Sequence, residues 1–269
     1  MTAPAALDIL VIDNGSNDGS AERMRRGLPA DVELLALPQN IGFGPGNNVG
    51  LRQALEDEYD YALLINNDAF PASDMLDRLL AAAEGSIALV SPKIFYESRP
   101  NILWFAGASR KRHTLDIAGT GRGQPDGPEW AADRDADYLL GTCLLVNLAA
   151  VANVGLFDER YFMYFEDLDW SIRLQRAGYR LRLAAGAHLY HRVATSSGGL
   201  ESPARRYHLA RSGMIFWRTH WREGNLAAIL LFRLGSAVKM LGRLLLTGNF
   251  AAASAYVRGL RDGWREGRG

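Results

Sequence analysis

The chain has a single cysteine, no net charge and no signal-like start, and each of these absences removes a class of protein. Cys143 cannot form a disulfide within the chain or build a cysteine-rich zinc site, which favours a reducing, cytoplasmic compartment. It lies in an apolar run and is expected to be an inert core thiol. The 30 basic and 30 acidic residues cancel, so we expect no nucleic-acid partner. Residues 1–6 lack the basic-then-apolar layout of a secretory signal, so export is not expected.

A long uninterrupted hydrophobic run is also missing. The most apolar stretch, residues 226–246, is broken by Arg233, Lys239 and Arg243. Each such cation costs about 2.5 to 3.5 kcal/mol at the centre of a bilayer, which argues against a membrane span. We therefore predict that this stretch lies at an interface.

What the chain does have is enough apolar residues for a sizeable core, at 48% of 269 residues. Apolar runs at residues 7–12, 32–37, 61–65 and 87–90 alternate with turn-rich or helical segments. This alternation predicts an α/β fold, a mostly parallel sheet flanked by helices. We predict one large domain over residues 1–217, with a loop or β-hairpin insertion between 91 and 137, and an amphipathic helical tail over 218–269.

Polar clusters follow two of the predicted strands. Asp13-Asn14 ends the first run, and Asn66-Asn67-Asp68 ends the run at 61–65. Ligands of such sheets bind beyond the carboxyl ends of strands, where a carboxylate can hold a divalent cation. The glycine-rich loop at 39–48, before a helix predicted at 49–58, lacks the Gly-Lys-Ser/Thr of a phosphate-binding P-loop. Its backbone can still approach a nucleotide's sugar or phosphates, although a plain turn is the alternative.

A second acidic cluster opens a predicted helix at residues 165–173. Phe165, Leu168 and Ile172 share one apolar face, and Asp169 and Arg173 are spaced to pair on the solvent side. Asp167 lies in the first turn, where the helix dipole favours an ionised carboxylate by up to about 1 kcal/mol. A metal-binding carboxylate and a separate proton acceptor suit transfer of a group away from a diphosphate.

Together these motifs resemble the inverting glycosyltransferases of GT-A fold, in the large second family that includes bacterial rhamnosyl and galactofuranosyl transferases. The resemblance covers residues 7–217, so the large domain would be a GT-A catalytic domain. The matching motifs occur in the family's order at residues 11–16 with 18–20, 40–43 with 46–48, 66–68, 157–159 with Phe162, 166–169 with Arg173, and His191 with Ser196.

The resemblance implies a role for individual residues. Asp68, the last residue of a variant DXD motif, and His191 would hold Mg²⁺ or Mn²⁺ beneath the donor's diphosphate. Asp167 would be the catalytic base, with Glu166 beside it, and Glu166 and Trp170 would shape the acceptor site. The predicted nucleotide contacts are Asp13, Asn14, Asn40, Gly42, Asn47, Asn66 and Asn67.

The implied substrates are a nucleotide-sugar donor and a glycan or lipid-linked acceptor, with rhamnose as one candidate sugar. Asn66 stands where an aspartate often opens the family's metal motif, so metal affinity rests more heavily on Asp68. Each role has a structural alternative: Asp68 as a helix cap, Asp167 as a helix-terminal charge and His191 as a structural histidine.

The chain departs from the family at its start, because members usually place one more strand, ending in a Thr-Tyr-Asn-like turn, and a helix before the strand at 7–12. Three explanations stay open: a start site assigned too late, a partner that completes the sheet, and a domain that has lost catalysis. The last makes a catalytically impaired sugar-nucleotide or glycan-binding subunit the alternative function. A nucleotidyltransferase is disfavoured because residues 13–20 are acidic and polar rather than basic.

The predicted tail mixes aromatic residues with cations, which suits the surface of an anionic bilayer. The alternative is an ordinary amphipathic helix packed on the core. With a lipid-linked acceptor, the first interpretation predicts a cytoplasmic protein at the inner face of the membrane. The residues that carry it are Trp217, Arg218, Trp221, Arg222, Phe232, Arg233, Lys239 and Arg243.

Overall fold

A computed structural model of the protein describes residues 7–192 and 201–266; the motif residue Ser196 lies outside them. Strands and helices alternate along most of the chain, and helices follow at the end. The elements are β1 Ile9–Asp13, α1 Ser20–Gly27, β2 Val32–Ala36, α2 Phe43–Glu56, β3 Tyr61–Ile65, β4 Ala69–Pro71, α3 Met75–Ala81, β5 Ile87–Tyr96, β6 Arg99–Phe105, β7 Ser109–Arg110, β8 Ile117–Ala118, β9 Arg134–Asp135, β10 Cys143–Asn147, α4 Leu148–Val154, α5 Glu166–Arg176, β11 Arg180–His191, α6 Pro203–His220, α7 Leu226–Leu246 and α8 Phe250–Glu266.

The predicted layered α/β architecture is confirmed. The large sheet has the order β3-β10-β5-β11-β4, with β6 on β5 and β9 on β11, while β1 and β2 form a separate parallel pair. β5 and β11 are parallel, and β10 is antiparallel to both β3 and β5, so β3, β5 and β11 run in one direction. Antiparallel strands are thus interleaved among the parallel ones. Cys143 lies at the start of β10 in the core, where burial raises the pKa of its thiol to about 12.

No ladder within the described residues joins β1 to β3. The Tyr59 hydroxyl donates a hydrogen bond to the Asp8 carboxylate. Tyr59 precedes β3 and Asp8 precedes β1, so the two strands begin close to each other. Both strands are apolar but only partly buried, with Ile9 and Ile65 exposed, whereas β5 and β10 are almost wholly buried.

Two predicted boundaries in the domain were wrong. α2 begins at Phe43, six residues before the predicted position 49, because Pro45 in its first turn needs no intrahelical partner for its nitrogen. β5 continues from Ile87 to Tyr96 rather than ending at 90, and it pairs with β6 in a hairpin, one of the two alternatives predicted for this region.

The C-terminal helices do not separate at the predicted boundary. α6 runs through position 217 to His220, contacts α5 through the His220–Asp169 pair and packs against α8. Gly259 and Gly263 of α8 allow that contact, since a Cβ on either would lie 2.3 Å from a backbone oxygen of α6. Within the described ranges, no helix is both long and apolar enough to cross a membrane.

Candidate active site

The two predicted metal ligands lie side by side. Asp68 follows β3 and His191 ends β11, and antiparallel pairing of β4 with β11 places Ala69 opposite His191. His191 Nε2 is 3.0 Å from Asp68 Oδ1, across 123 positions of sequence. The Trp104 ring packs against the imidazole with ring centroids 4.8 Å apart, and it helps to bury His191. The carboxylate is more accessible than the ring, with 28% of its side chain exposed, so the pair is open on the Asp68 side.

Asp167, the predicted base, lies in the first turn of α5 and is buried. Its Oδ2 accepts hydrogen bonds from the Tyr138 hydroxyl at 2.8 Å and from the Gly141 amide at 3.0 Å. Burial raises the pKa of Asp167, and the hydrogen bonds only partly oppose that shift. The prediction that the helix dipole keeps this group ionised left out burial, which has the larger effect.

Glu166 is also buried, and its Oε2 has no hydrogen-bond partner in the part of the chain that the structure describes. Burial and the neighbouring charge of Asp167 raise the pKa of Glu166 well above its ordinary value. The adjacent carboxyls therefore hold a proton more readily than two isolated ones would.

The backbone leading into these carboxyls is strained. Tyr164 and Phe165 both have φ of 69°, in the left-handed region that non-glycine residues avoid. α6 holds this turn in place: the Ser212 hydroxyl donates to the Met163 carbonyl at 2.7 Å, and the Phe216 ring lies 5.3 Å from that of Phe165. Strain maintained by surrounding packing is common at functional sites.

One short segment, Gly141-Thr142, connects the two acidic clusters. The Thr142 carbonyl accepts from the Asn66 amide at 3.0 Å, two residues before Asp68, while the Gly141 amide donates to Asp167. A Cβ at Gly141 would lie 2.9 Å from the Phe43 ring, so only glycine fits here without displacing that ring. The metal pair and the proton acceptor thus border the same turn.

Most of the predicted nucleotide contacts hold the loop before α2 together. The Asn14 amide donates to the Gly42 carbonyl at 2.8 Å and accepts from the amide of residue 41 at 3.0 Å. Asn40 Oδ1 accepts from the Gly42 amide at 2.9 Å, and the Asn47 amide donates to a carbonyl one turn earlier. Gly42 has φ of 102°, which favours glycine. These side chains position the loop by bonding to its backbone groups.

The remaining nucleotide candidates divide into two cases. Asp13 is buried and accepts from the Ser16 amide at 3.3 Å, so it shapes the turn after β1. The side-chain amides of Asn66 and Asn67 make no hydrogen bond among the described residues, and Asn67 is exposed beside Asp68. These two side-chain amides are therefore available to a ligand, and they lie next to the candidate metal pair.

Two expectations about α5 need correction. Trp170 is completely buried, donates to the Gly155 carbonyl at 2.9 Å and packs 4.1 Å from the Phe157 ring, so it offers no surface to an acceptor. Asp169 does pair with Arg173 at 2.7 Å, but inside the protein rather than on the solvent side. There it also binds His220 of α6 at 2.7 Å, which ties α5 to the C-terminal helices.

Sequence reasoning missed three residues of this site. Tyr138 binds the candidate base, Trp104 covers His191, and His220 anchors α5. None of them has a sequence signal, because each acts through a partner at least 29 positions away. Gly141-Thr142 did carry a signal, as a small and polar interruption of an apolar run.

Comparison with known proteins gives glycosyltransferases among the sequence relatives. The family description "Glycosyl transferase family 2" matches residues 4–127. An N-acetylglucosaminyl-diphospho-decaprenol L-rhamnosyltransferase of Mycobacterium tuberculosis is 30% identical over 217 residues, covering 71% of this chain and 68% of the relative. A rhamnosyltransferase of Escherichia coli is 26% identical over 177 residues, covering 62% and 67%.

The solved structures give the same fold. A mannosyltransferase from Pyrobaculum calidifontis, in complex with GDP-Man and Mn²⁺, superimposes with a TM-score of 0.56 at 15% identity. The match covers 96% of this chain and 78% of that one. At this identity the likeness concerns the fold, which is GT-A.

Proposed function

The chain belongs to glycosyl transferase family 2, and from that premise we propose that it transfers a sugar from a nucleoside-diphosphate donor to a glycan or lipid-linked acceptor, with inversion at the anomeric carbon. The observation that carries this proposal is the joining of two sites by Gly141-Thr142: the Asp68–His191 pair on one side and the Asp167 carboxylate on the other.

Asp68 and His191 are suited to share one divalent cation. The Asp68 oxygen and His191 nitrogen are separated by 3.0 Å, close enough for both to hold the same ion. A bound Mg²⁺ or Mn²⁺ would neutralise negative charge on the departing diphosphate.

Asp167 would act as the base. An acceptor hydroxyl attacks the anomeric carbon, its proton passes to the Asp167 carboxylate, and the bond to the diphosphate breaks. Tyr138 and the Gly141 amide fix the direction of the carboxylate, and its raised pKa makes it a stronger proton acceptor once ionised. The raised pKa of Glu166 favours its protonated form, and protonation there limits repulsion between the two carboxyls. One carboxylate on the face opposite the leaving group suffices for inversion, so no covalent intermediate is required.

The relatives suggest the sugar and the acceptor class. Two of them are named as rhamnosyltransferases, and one name specifies a diphospho-decaprenol acceptor. We therefore propose rhamnose as the transferred sugar and a lipid-linked glycan as the acceptor. Transfer would then take place at the cytoplasmic face of a membrane. Asn66 and Asn67 are our candidates for direct contact with the donor.

Metal removal tests this function directly. We expect steady transfer or slow hydrolysis of a nucleoside-diphosphate rhamnose in the presence of Mn²⁺, loss of that turnover in EDTA, and its return when Mn²⁺ is added in excess. Release of the nucleoside diphosphate, measured with a coupled assay across several nucleotide sugars, reports the reaction. Tight nucleotide-sugar binding without turnover of any donor would instead support the alternative, a catalytically impaired binding subunit.

Activity should depend on pH through the Asp167–Glu166 pair. The base works ionised, so kcat/KM should fall on acidification through the raised pKa of the pair, at a pH above the ordinary aspartate value of about 3.9. The effect on stability has the opposite sign. A carboxyl whose folded pKa is raised binds its proton more tightly when folded, so this pair stabilises the fold as pH falls through that pKa.

A pH profile of kcat/KM beside thermal melts at each pH separates the two effects. Activity should be lost while the protein is still folded. A profile that stays flat until the pH of acid unfolding would contradict the assignment of Asp167 as the base.

A further inference from the structure

α7 presents an uncovered apolar face. Besides Leu246 at its last position, six of its large apolar side chains are about half exposed or more, and they recur mostly at spacings of three and four along the helix, on one side. We call them the α7 face: Leu226, Leu230, Leu231, Leu234, Val238 and Leu245. Leu231 is 75% exposed and Leu234 is 65% exposed, so these are whole side chains in contact with solvent.

The opposite side of α7 attaches the helix to the protein. Ile229 and Leu244 are its buried residues; Ile229 joins the main core, and Leu244 packs with Ala252 and Ala253 of α8. Arg233 folds back over the Trp217 ring of α6, 4.4 Å from its centre. The helix therefore has one anchored side and one free apolar side. A free apolar face this continuous marks a contact surface.

The charged residues of α7 itself have one sign, and the acidic residues Glu201 and Glu223 near it are already paired with arginines. The 21 residues of α7 include three cations and no acidic residue. Lys239 and Arg243 are exposed, although Arg243 also pairs with Glu201, and exposed Trp221 and Arg222 precede the helix. We propose that the α7 face lies on an anionic lipid bilayer, with its leucines in the acyl boundary and these cations at the headgroups.

Charge also argues against a second copy of the chain as the occupant. A twofold pairing of two α7 helices would bring their cations together with no acidic residue of either helix to compensate. A bilayer carrying phosphate headgroups supplies the missing negative charge, while Trp221 beside Arg222 gives the amphipathic edge common at lipid interfaces. The helix lies on the surface, in keeping with the absence of a span among the described helices.

The α7 face is joined to the active site through α6. Arg233 of α7 contacts the Trp217 ring of α6. α6 in turn holds the turn before Asp167 through Ser212 and Phe216. The inference thus deepens the proposed function by naming the surface on which a lipid-linked acceptor would be met. Its test needs no catalysis, so either proposal can fail alone.

Vesicle flotation with the full chain tests the proposal. The protein should float with phosphatidylcholine vesicles that contain phosphatidylglycerol, and much less with phosphatidylcholine alone. Leu230→Glu with Leu234→Glu should weaken partitioning at least tenfold. The matched control is Ala81→Glu with Ala149→Glu, two exposed helical sites that change charge equally and should leave flotation unchanged. Equal flotation of both double variants overturns the proposal.

A second measurement reports the location of the face itself. The chain's one cysteine is buried, so a polarity-sensitive dye can be attached selectively at Leu231→Cys, with Ala81→Cys as control. Dye emission should rise and shift to the blue with anionic vesicles at position 231 only. An emission change that depends on protein concentration and not on lipid, together with a dimer in sedimentation that Leu230→Glu with Leu234→Glu abolishes, would assign the face to a second copy and refute the bilayer.

Discussion

Replacing Asp167 with asparagine should lower kcat by about a hundredfold or more while leaving donor affinity nearly unchanged. The amide keeps the shape of the side chain and an oxygen for the Tyr138 and Gly141 donors, but it cannot take a proton. General-base catalysis typically contributes about 10² to 10⁴ in rate, and its loss should therefore appear in kcat. Single-turnover transfer and titration of the nucleotide sugar in Mn²⁺ measure the two quantities separately.

The matched control for Asp167→Asn is Asp135→Asn, the same change at an exposed carboxylate of β9. That variant should keep the wild-type kcat. A structural role for Asp167 would show differently, as a lower melting temperature with kcat preserved in the folded fraction. Wild-type kcat in a folded Asp167→Asn protein would remove this residue from the mechanism.

Replacing Asp68 with alanine should abolish the dependence of donor binding on Mn²⁺ and reduce transfer by more than about a hundredfold. Metal stabilisation of developing charge is worth several kcal/mol, and each 1.36 kcal/mol is about tenfold in rate. The variant leaves His191 as the one remaining ligand of the pair, and a single imidazole is a weak site for Mg²⁺ or Mn²⁺. Titration of nucleoside diphosphate with and without Mn²⁺, read by calorimetry, gives the change.

A double-mutant cycle distinguishes a shared metal from two independent effects. His191→Ala should also lower transfer, and Asp68→Ala with His191→Ala should be hardly worse than Asp68→Ala alone, because one metal is lost in either case. Asp77→Asn, an exposed carboxylate of α3, is the control and should retain the metal response. Additive losses would mean that the two residues do not share a cation.

Much of the site could be predicted from the sequence, because the position of a residue relative to its own strand or helix is a local property. Asp68 follows an apolar strand and Asp167 begins a helix, so pattern and spacing located both. Their relationship depends on contacts between distant segments. The Gly141-Thr142 turn bonds to both Asn66 and Asp167, and Trp104 and His220 reach their partners across the fold. For Trp170 the local motif was misleading. Its place in the motif predicted contact with the acceptor, whereas its complete burial shows that it packs in the core.

By itself, the sequence determined the alternation of strands and helices in the first part of the domain, because periodicity is a local property. Its short motifs carried the resemblance to the GT-A family, and that resemblance named the candidate metal ligands and base. The tertiary structure alone decided which groups share a turn, how burial raises the pKa values of Glu166 and Asp167, and which side of α7 stays uncovered. Those properties depend on what packs against a residue in space. The whole fold decides how much water a residue loses on burial and which groups surround it. Those two factors set the charge state of a carboxyl.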